Sequence, residues 1–495
     1  MTTPHRTLIQ FFHWYTPGGG QLWGEVQARA PELARLGLTD VWLPPASKGA
    51  SGAASVGYDT YDLFDLGEFD QKGSVGTKYG DRAGLERAAR ALREAGLRVL
   101  HDAVMNHKMG ADDMERVRVQ RVDPEDRRQI DPEIFEAGAY TVFRFPGRAG
   151  QHSRFEWTAA CFTGVDAIRD PDEAGIFRIV NEHGDEHWNR EVDDEGGNFD
   201  YLMGADIEFR NPAVYEEMKY WGRWLGEQVA CDGFRLDAAK HIPAWFIRDW
   251  VGHMRETHGQ DIFVVAEYWN PDFDALATYI ERTDRQLAVF DVALHHRFHD
   301  AARAGADFDL RTIFDGSLVA SLPEHAVTIV DNHDTQPLQA LESPVEPWFK
   351  PLAYALILLR EQGVPCVFHP DLYGAEYEDT GADGQVHRVQ MPAIATLPRL
   401  IEARQRFAHG PQSDHFDEPG CIGFVRHGTA EQPGCVVVLA NGGEAGRDIT
   451  LGPEHAGQVW TDFLGHRQDE VVLDEQGRGV FRVNGGSVSV WVAQA

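Results

Sequence analysis

Four short stretches set carboxylates, histidines and basic residues directly behind apolar runs: residues 102–107 (Asp-Ala-Val-Met-Asn-His), 233–241 (Gly-Phe-Arg-Leu-Asp-Ala-Ala-Lys-His), 264–269 (Val-Val-Ala-Glu-Tyr-Trp) and 330–334 (Val-Asp-Asn-His-Asp). One Asp in such a position is most often a turn former or a helix cap. Four in succession, each after a strand-like run, point to a shared site. Carboxylates in this number suit cleavage of a glycosidic bond, in which one carboxylic acid protonates the leaving oxygen while a second carboxylate attacks or activates water. Competing chemistries are poorly served. There is no serine nucleophile motif, and the glycines of residues 15–20 (Tyr-Thr-Pro-Gly-Gly-Gly) lack the lysine of a phosphate loop. Cys231 lies near the second cluster without a matching base and reads as packing.

Residues this far apart in sequence meet only if a scaffold brings the ends of several strands together. Eight runs rich in Val, Ile, Leu and Phe (7–14, 40–44, 98–104, 233–238, 262–268, 287–292, 326–330 and 364–369) alternate with helical-period segments at 82–95, 213–228, 243–258, 348–361 and 397–407. Eight strands in βα order close most simply into a (β/α)8 TIM barrel, with an open doubly wound sheet as the alternative, and a barrel carries its reactive residues at the C-terminal ends of its strands. The gap from residue 108 to 208 is too long for a loop and is aromatic-rich and acidic, which predicts an inserted β-rich domain after the third strand, standing over the barrel mouth. Beyond residue 409, short alternating strands with Gly-rich turns predict a C-terminal antiparallel β-sandwich. The expected division is therefore 1–107 with 209–408 for the barrel, 108–208 for the insert and 409–495 for the last domain.

Composition narrows the partners. A net charge of -32 repels phosphate backbones and anionic lipid surfaces, so neither nucleic acid nor a membrane is expected as a partner. Five scattered cysteines without CxxC spacing argue against both a disulfide framework and a zinc knuckle. No signal-peptide pattern opens the chain and no apolar run reaches the length of about 18 residues of a membrane span, which leads to an expected cytoplasmic location.

The four clusters resemble the four characteristic regions of glycoside hydrolase family 13, the alpha-amylase family, and the resemblance extends through residues 41–45, 57–69, 198–203 and 348–353 to 484–489. Within that family the chain is most similar to the bacterial cytoplasmic members. The resemblance implies retaining endo-hydrolysis of α-1,4 bonds in starch, glycogen and maltodextrins by a monomer. Asp237 would be the nucleophile, Glu267 the general acid and base, and Asp334 the carboxylate that grips sugar hydroxyls in the transition state. Arg235, two residues before Asp237 on one strand face, can hold the nucleophile ionised, and Glu267 beside Tyr268 and Trp269 can keep a proton through desolvation. His107 and His333 would bond hydroxyls of the cleaved ring, Tyr58 and Trp269 would stack on sugar faces, and Lys240 and His241 would meet the leaving side.

The same resemblance implies one structural Ca²⁺ between barrel and insert, bound by Asn106, Asp200, Asp206 and the backbone carbonyl of His241, all oxygen donors suited to a hard cation. Thr163 and Asn189 fall where relatives with more metals carry aspartates, and Gly420 where some carry an acidic ligand, so further ions are not expected. Two rival functions remain: a transglycosylase or maltose-forming enzyme using the same carboxylates, and a carbohydrate-binding or interaction protein on the same scaffold, which should show losses among the three carboxylates where none is lost.

Overall fold

The computed structural model describes residues 5–184 and 187–494. Residues 1–4, on which the expectation about a leader partly bears, lie outside the described residues. Eight parallel strands form a closed barrel: β1 (Leu8–Gln10), β2 (Asp40–Trp42), β3 (Arg98–Ala103), β4 (Gly233–Leu236), β5 (Phe263–Ala266), β6 (Ala288–Phe290), β7 (Ala326–Ile329) and β8 (Val364–Phe368). β8 pairs back onto β1, with Leu8 opposite Cys366, which rules out the open sheet. The strands are shorter than their apolar runs because the chain flares at the mouth. After Gln10 it keeps one more bond, Phe11 N–H to the Trp42 carbonyl, then turns at His13–Thr16 and lifts Trp14 and Tyr15 above the barrel.

A helix follows each strand: α1 (Leu22–Leu36), α2 (Arg82–Glu94), α3 (Pro212–Gln228), α4 (Ala244–His258), α5 (Phe273–Arg282), α6 (Val292–Ala304), α7 (Lys350–Leu359) and α8 (Leu397–Phe407). Their starts are written in the sequence. Asp81, Asn211, Asp272 and Asp291 cap α2, α3, α5 and α6 by accepting first-turn backbone N–H bonds. α7 differs from the rest, since residues Leu352 to Leu359 are all buried and the helix has no polar face. A helix apolar all round needs cover on every side. α8 and the C-terminal strand Ser487–Ala493 supply it on the side away from the barrel.

Between β3 and α3 the chain builds a six-stranded sheet that includes Asp113–Val122, Phe135–Val142, Phe162–Ile168 and Glu173–Ile179. The short strand Ala205–Ile207 returns beside His107–Lys108 and so ties this sheet to the end of β3. After α8, a second six-stranded antiparallel sheet faces the hairpin Ala445–Thr450/Arg478–Val483, with Val436, Val438, Ile449, Trp460, Phe481 and Trp491 packed between them. This is the expected sandwich. A hairpin of Ala375–Thr380 with Val386–Met391, standing outside β8, was not legible in the sequence. All five cysteines are buried and unpaired, and among the described residues no helix is long and apolar enough to cross a membrane.

One buried ion cluster links α7 to the strand ends. Lys350 Nζ lies 2.7 Å from Asp331 and 2.5 Å from Asp371, with all three side chains almost wholly buried, and the Tyr354 hydroxyl donates to Asp371 at 2.6 Å. Removing only the cation strands two buried carboxylates, which costs about 3–5 kcal/mol for a buried pair. Lys350→Met should therefore lower the unfolding free energy by about that amount in urea titration. A loss below about 1 kcal/mol would mean that water reaches and screens the cluster.

Candidate active site

Arg235 and Asp237 stand two residues apart at the end of β4, so their side chains leave the same face and point into the barrel mouth. The Arg235 guanidinium is 1% exposed and is shared among carboxylates from three neighbouring strand ends. Its Nη1 donates to Asp102 Oδ1 at 2.8 Å and to Asp237 Oδ1 at 2.6 Å, while Nη2 donates to Glu267 Oε2 at 2.6 Å. Glu267 also accepts the backbone N–H of Ala238 at 2.9 Å. Ala238 adopts a left-handed conformation, φ 50° and ψ 34°, uncommon for a residue with a side chain and a form of strain that concentrates at functional sites. Asp102 is held in turn by the Trp42 indole at 3.0 Å and the Tyr58 hydroxyl at 2.8 Å.

Above this cluster lies a cleft of about 420 Å³ lined by Tyr58, His107, Asp237, Lys240, His241, Glu267, Trp269, His333 and Asp334. Every residue expected at the site is thus in the cleft wall, apart from Arg235, which lies beneath it. His107 Nε2 meets the Tyr58 carbonyl at 2.8 Å and leaves Nδ1 buried without a partner. Gln10 Nε2 approaches His333 Nδ1 at 2.9 Å, and with the amide donating there, the ring proton sits on Nε2, 3.3 Å from Asp334. Lys240 Nζ bonds Glu195 at 2.6 Å, and His241 Nδ1 meets the Phe199 carbonyl at 2.7 Å. A second hollow of about 430 Å³ between Pro337 and Thr396 is lined largely by proline and alanine and contains none of the catalytic candidates.

One expectation fails in detail. Tyr268 does not shield Glu267, because strand alternation turns its ring away onto Tyr279, with centroids 4.6 Å apart. Three contributors escaped the sequence reading. Asp102 heads the first cluster yet serves beneath the cleft; Glu195 arrives from the insert; Trp14 lies nearly parallel to Tyr58, at 3°, and to His333, at 10°, so that the three rings make one flat wall. Asp102 carried a signal as the head of the first strand-end cluster, and Trp14 as an aromatic residue at the end of a strand-like run.

The proposed metal ligands gather where the insert meets the barrel. Asp200 and Asp206 are each 1% exposed. Asn106 Nδ2 donates to Asp206 at 3.0 Å, and its Oδ1 is buried without a partner. Asn189 donates through its backbone and side-chain nitrogens to Asp200 at 3.0 and 3.2 Å, and its Oδ1 is likewise unpartnered. The Thr163 hydroxyl donates to Asp206. Burial pushes Asp200 up to about 7, and burial together with the charge of Asp200 pushes Asp206 well above the ordinary range. Among the described residues no group of three or more His, Cys, Asp or Glu side chains converges as a metal site. What is present is two buried carboxylates flanked by unpartnered amide oxygens, a donor set that fits a hard cation.

A family model for the alpha amylase catalytic domain matches residues 16–393. The chain belongs to the alpha-amylase family. It is 59% identical over 488 residues to the cytoplasmic alpha-amylase of Escherichia coli K12, covering 99% of each chain. It is 45% identical to a glucan 1,4-alpha-maltohexaosidase of a Bacillus species, covering 98% of this chain and 92% of the relative. Identity with the alpha-amylase of Bacillus licheniformis is 44%, covering 98% and 93%. In fold it is similar to a Geobacillus thermoleovorans alpha-amylase crystallised with acarbose, at a TM-score of 0.65 and 18% identity, covering 99% and 98%. Membership brings the chain among the endo-acting hydrolases of α-1,4-glucans.

In this alpha-amylase site, four carboxylates (Asp102, Asp237, Glu267 and Asp334) crowd around one guanidinium. Burial raises Asp237 well above the carboxylate range; Arg235 opposes that shift, and Glu267, Asp102 and Asp334 add to it. Arg235 thus favours the charged form of Asp237, as the sequence suggested, while burial acts against it. Asp334 is pushed up to about 8 by burial and then by repulsion from Glu267, although its side chain keeps 22% of its surface open to the cleft. In the unfolded chain Asp334 titrates near 3.8. Between those two values the folded protein holds a proton that the unfolded chain releases, so stability falls as pH rises and levels off above about 8. Asp334→Asn should raise the melting temperature at pH 8 to 9 relative to the parent, with the gain shrinking toward pH 4. Calorimetry across that range checks the sign, and a gain independent of pH would contradict it.

Proposed function

We propose that the enzyme cleaves internal α-1,4 bonds of starch, glycogen and maltodextrins with retention of configuration. Asp237 attacks the anomeric carbon as the glycosidic oxygen leaves with a proton from Glu267; water, giving its proton to the Glu267 carboxylate, then displaces Asp237 from the sugar. Asp334 grips hydroxyls of the reacting ring as positive charge develops. The observation that carries this reading is the shared guanidinium, since Asp237 and Glu267 each lie 2.6 Å from a nitrogen of one planar group. That closeness favours the spacing of about 5–5.5 Å of retaining pairs over the 6.5–9.5 Å that leaves room for an attacking water. Of the cleft-lining residues, Tyr58 and Trp269 would stack on sugar, His107 Nδ1 lacks a protein partner and would accept from a hydroxyl, His333 turns its Nε2–H toward Asp334, and Lys240 and His241 would meet the leaving side.

In the same reading the catalytic barrel spans 1–107 and 209–408, the insert 108–208 and the last domain 409–495, and the protein works as a monomer in the cytoplasm, a location that the name of its Escherichia coli relative supports. One Ca²⁺, bound by Asn106, Asp200, Asp206 and the His241 carbonyl, would neutralise the paired buried carboxylates and pin the insert to the barrel. Thr163 and Asn189 donate hydrogen bonds to the two aspartates without adding charge, which favours a single ion.

Asp237→Asn should cut turnover on starch by roughly 10⁴-fold or more while substrate still binds, the scale at which a lone member of a catalytic set acts. Glu267→Gln should be nearly as damaging on starch but much milder on an aryl glycoside whose leaving group needs little protonation. Asp334→Asn should slow both substrates. If all three variants stay folded and lose activity equally on both substrates, the assigned roles are wrong; NMR showing the β anomer as first product would remove the nucleophile. Exhaustive chelation should lower the melting temperature, and an unchanged value would eliminate the calcium.

A further inference from the structure

The hairpin Ala375–Met391 is a protrusion whose outer half, residues 376 and 378–390, is exposed but for partial cover at Gly381 and Val389. A lone two-stranded hairpin is marginal in water. This one is fixed at its base. Tyr377 stacks on Tyr15 with ring centroids 3.9 Å apart at 15°, within a small apolar cluster that adds Phe368, Leu338, Val389 and Met391. The Tyr377 hydroxyl donates to the Pro337 carbonyl at 2.8 Å, the Tyr15 hydroxyl donates to Asp379 at 2.5 Å, and Gln339 donates to the Tyr15 hydroxyl at 2.7 Å. The hairpin is thereby clamped to the loop after β1 and the loop after β7.

Those two loops also build one end of the catalytic cleft. Trp14 precedes Tyr15, and its N–H is held by Gln336 at 3.1 Å; Ala340 and Leu341 follow Gln339; and all three of Trp14, Ala340 and Leu341 line the cleft. The opposite end is formed by Glu195, Phe199, Lys240 and Trp269, with Lys240 Nζ bonded to the Trp269 carbonyl beside the proton donor Glu267. A general acid sits on the leaving-group side of the bond it cleaves. The Trp14 end therefore receives the glycone, and a glucan chain passing Trp14 next meets Tyr15, Asp379 and the hairpin.

We propose that the hairpin Ala375–Met391, clamped by the Tyr15–Tyr377 stack, is the wall that ends the glycone side of the cleft and sets how many glucose units are released from that side. The inference rests on the catalytic reading above, because Glu267 fixes which end is which. A wall held at three points limits length sharply, whereas the same hairpin released from Tyr15 would let chains of several lengths past.

The test is the position of the cut in maltooctaose tagged at its reducing end, read by chromatography of tagged and untagged products. In one variant residues 379–387 are removed and Glu378 is joined to Arg388 through Asn-Gly, a pair that closes two-residue hairpins. Its main untagged product should lengthen by at least one glucose. Tyr15→Phe, which keeps the stack but removes the bonds to Asp379 and Gln339, should broaden the products, with the second most abundant untagged product rising at least threefold relative to the first. It decides the matter if the shortened variant does not fold. An unchanged cutting pattern in folded variants, including a uniform slowing at every bond, overturns the proposal and leaves the hairpin a structural ornament. Failure of the catalytic reading has a separate signature, since Asp237→Asn would then keep its activity while the cutting pattern could still move.

Discussion

The guanidinium of Arg235 is the group around which the rest of the site is arranged. Burying it without partners would be prohibitive, and burying Asp102, Asp237 and Glu267 side by side without it would be equally so. Each is tolerable only in the presence of the others, and that mutual requirement constrains the barrel. Asp102, Arg235 and Glu267 must reach the same height on β3, β4 and just beyond β5, which the parallel register supplies by setting Arg235 opposite Asp102 and Leu236 opposite Ala266. Burial, and then the surplus of negative charge left over, push Asp237 and Asp334 above the ordinary carboxylate range.

The interior beyond the cleft repeats this logic with different residues. Asp331, three positions before Asp334, is tied through Lys350 to Asp371, so the end of β7, α7 and the start of the loop after β8 are tied to one buried cation. Where the insert meets the barrel, Asp200 and Asp206 repeat the crowding of carboxylates, and there Asn106, Asn189 and Thr163 donate to them. In two of these three acidic clusters the carboxylates bond a buried cation, and in the third they accept from amides and a hydroxyl.

The barrel was legible because parallel strands buried on both faces read as unbroken apolar runs, and because Asp, Asn and Pro mark helix starts. The cleft residues were legible because the chemistry concentrates at strand ends. What stayed hidden depends on contacts between distant segments. The hairpin 375–391 is mostly polar or small residues by sequence, and it is ordered by contacts at its base, Tyr377 meeting Tyr15 foremost. Glu195 looks like any acidic loop residue until the insert folds over the mouth. The direction in which Tyr268 points was set by alternation, and its place next to Glu267 in sequence suggested the opposite.

The all-apolar surface of α7 has a consequence for how the protein is made. Synthesis completes the eighth strand and its helix well before the strand Ser487–Ala493 that covers α7. Until that last segment leaves the ribosome, a barrel already flanked by α8 still carries part of a largely apolar helix face uncovered, the kind of surface that draws chains into aggregates. The final strand therefore acts late, as the piece that makes the nascent chain safe in a crowded cell, and a translation product cut short near its end would be sticky even with all eight barrel strands in place.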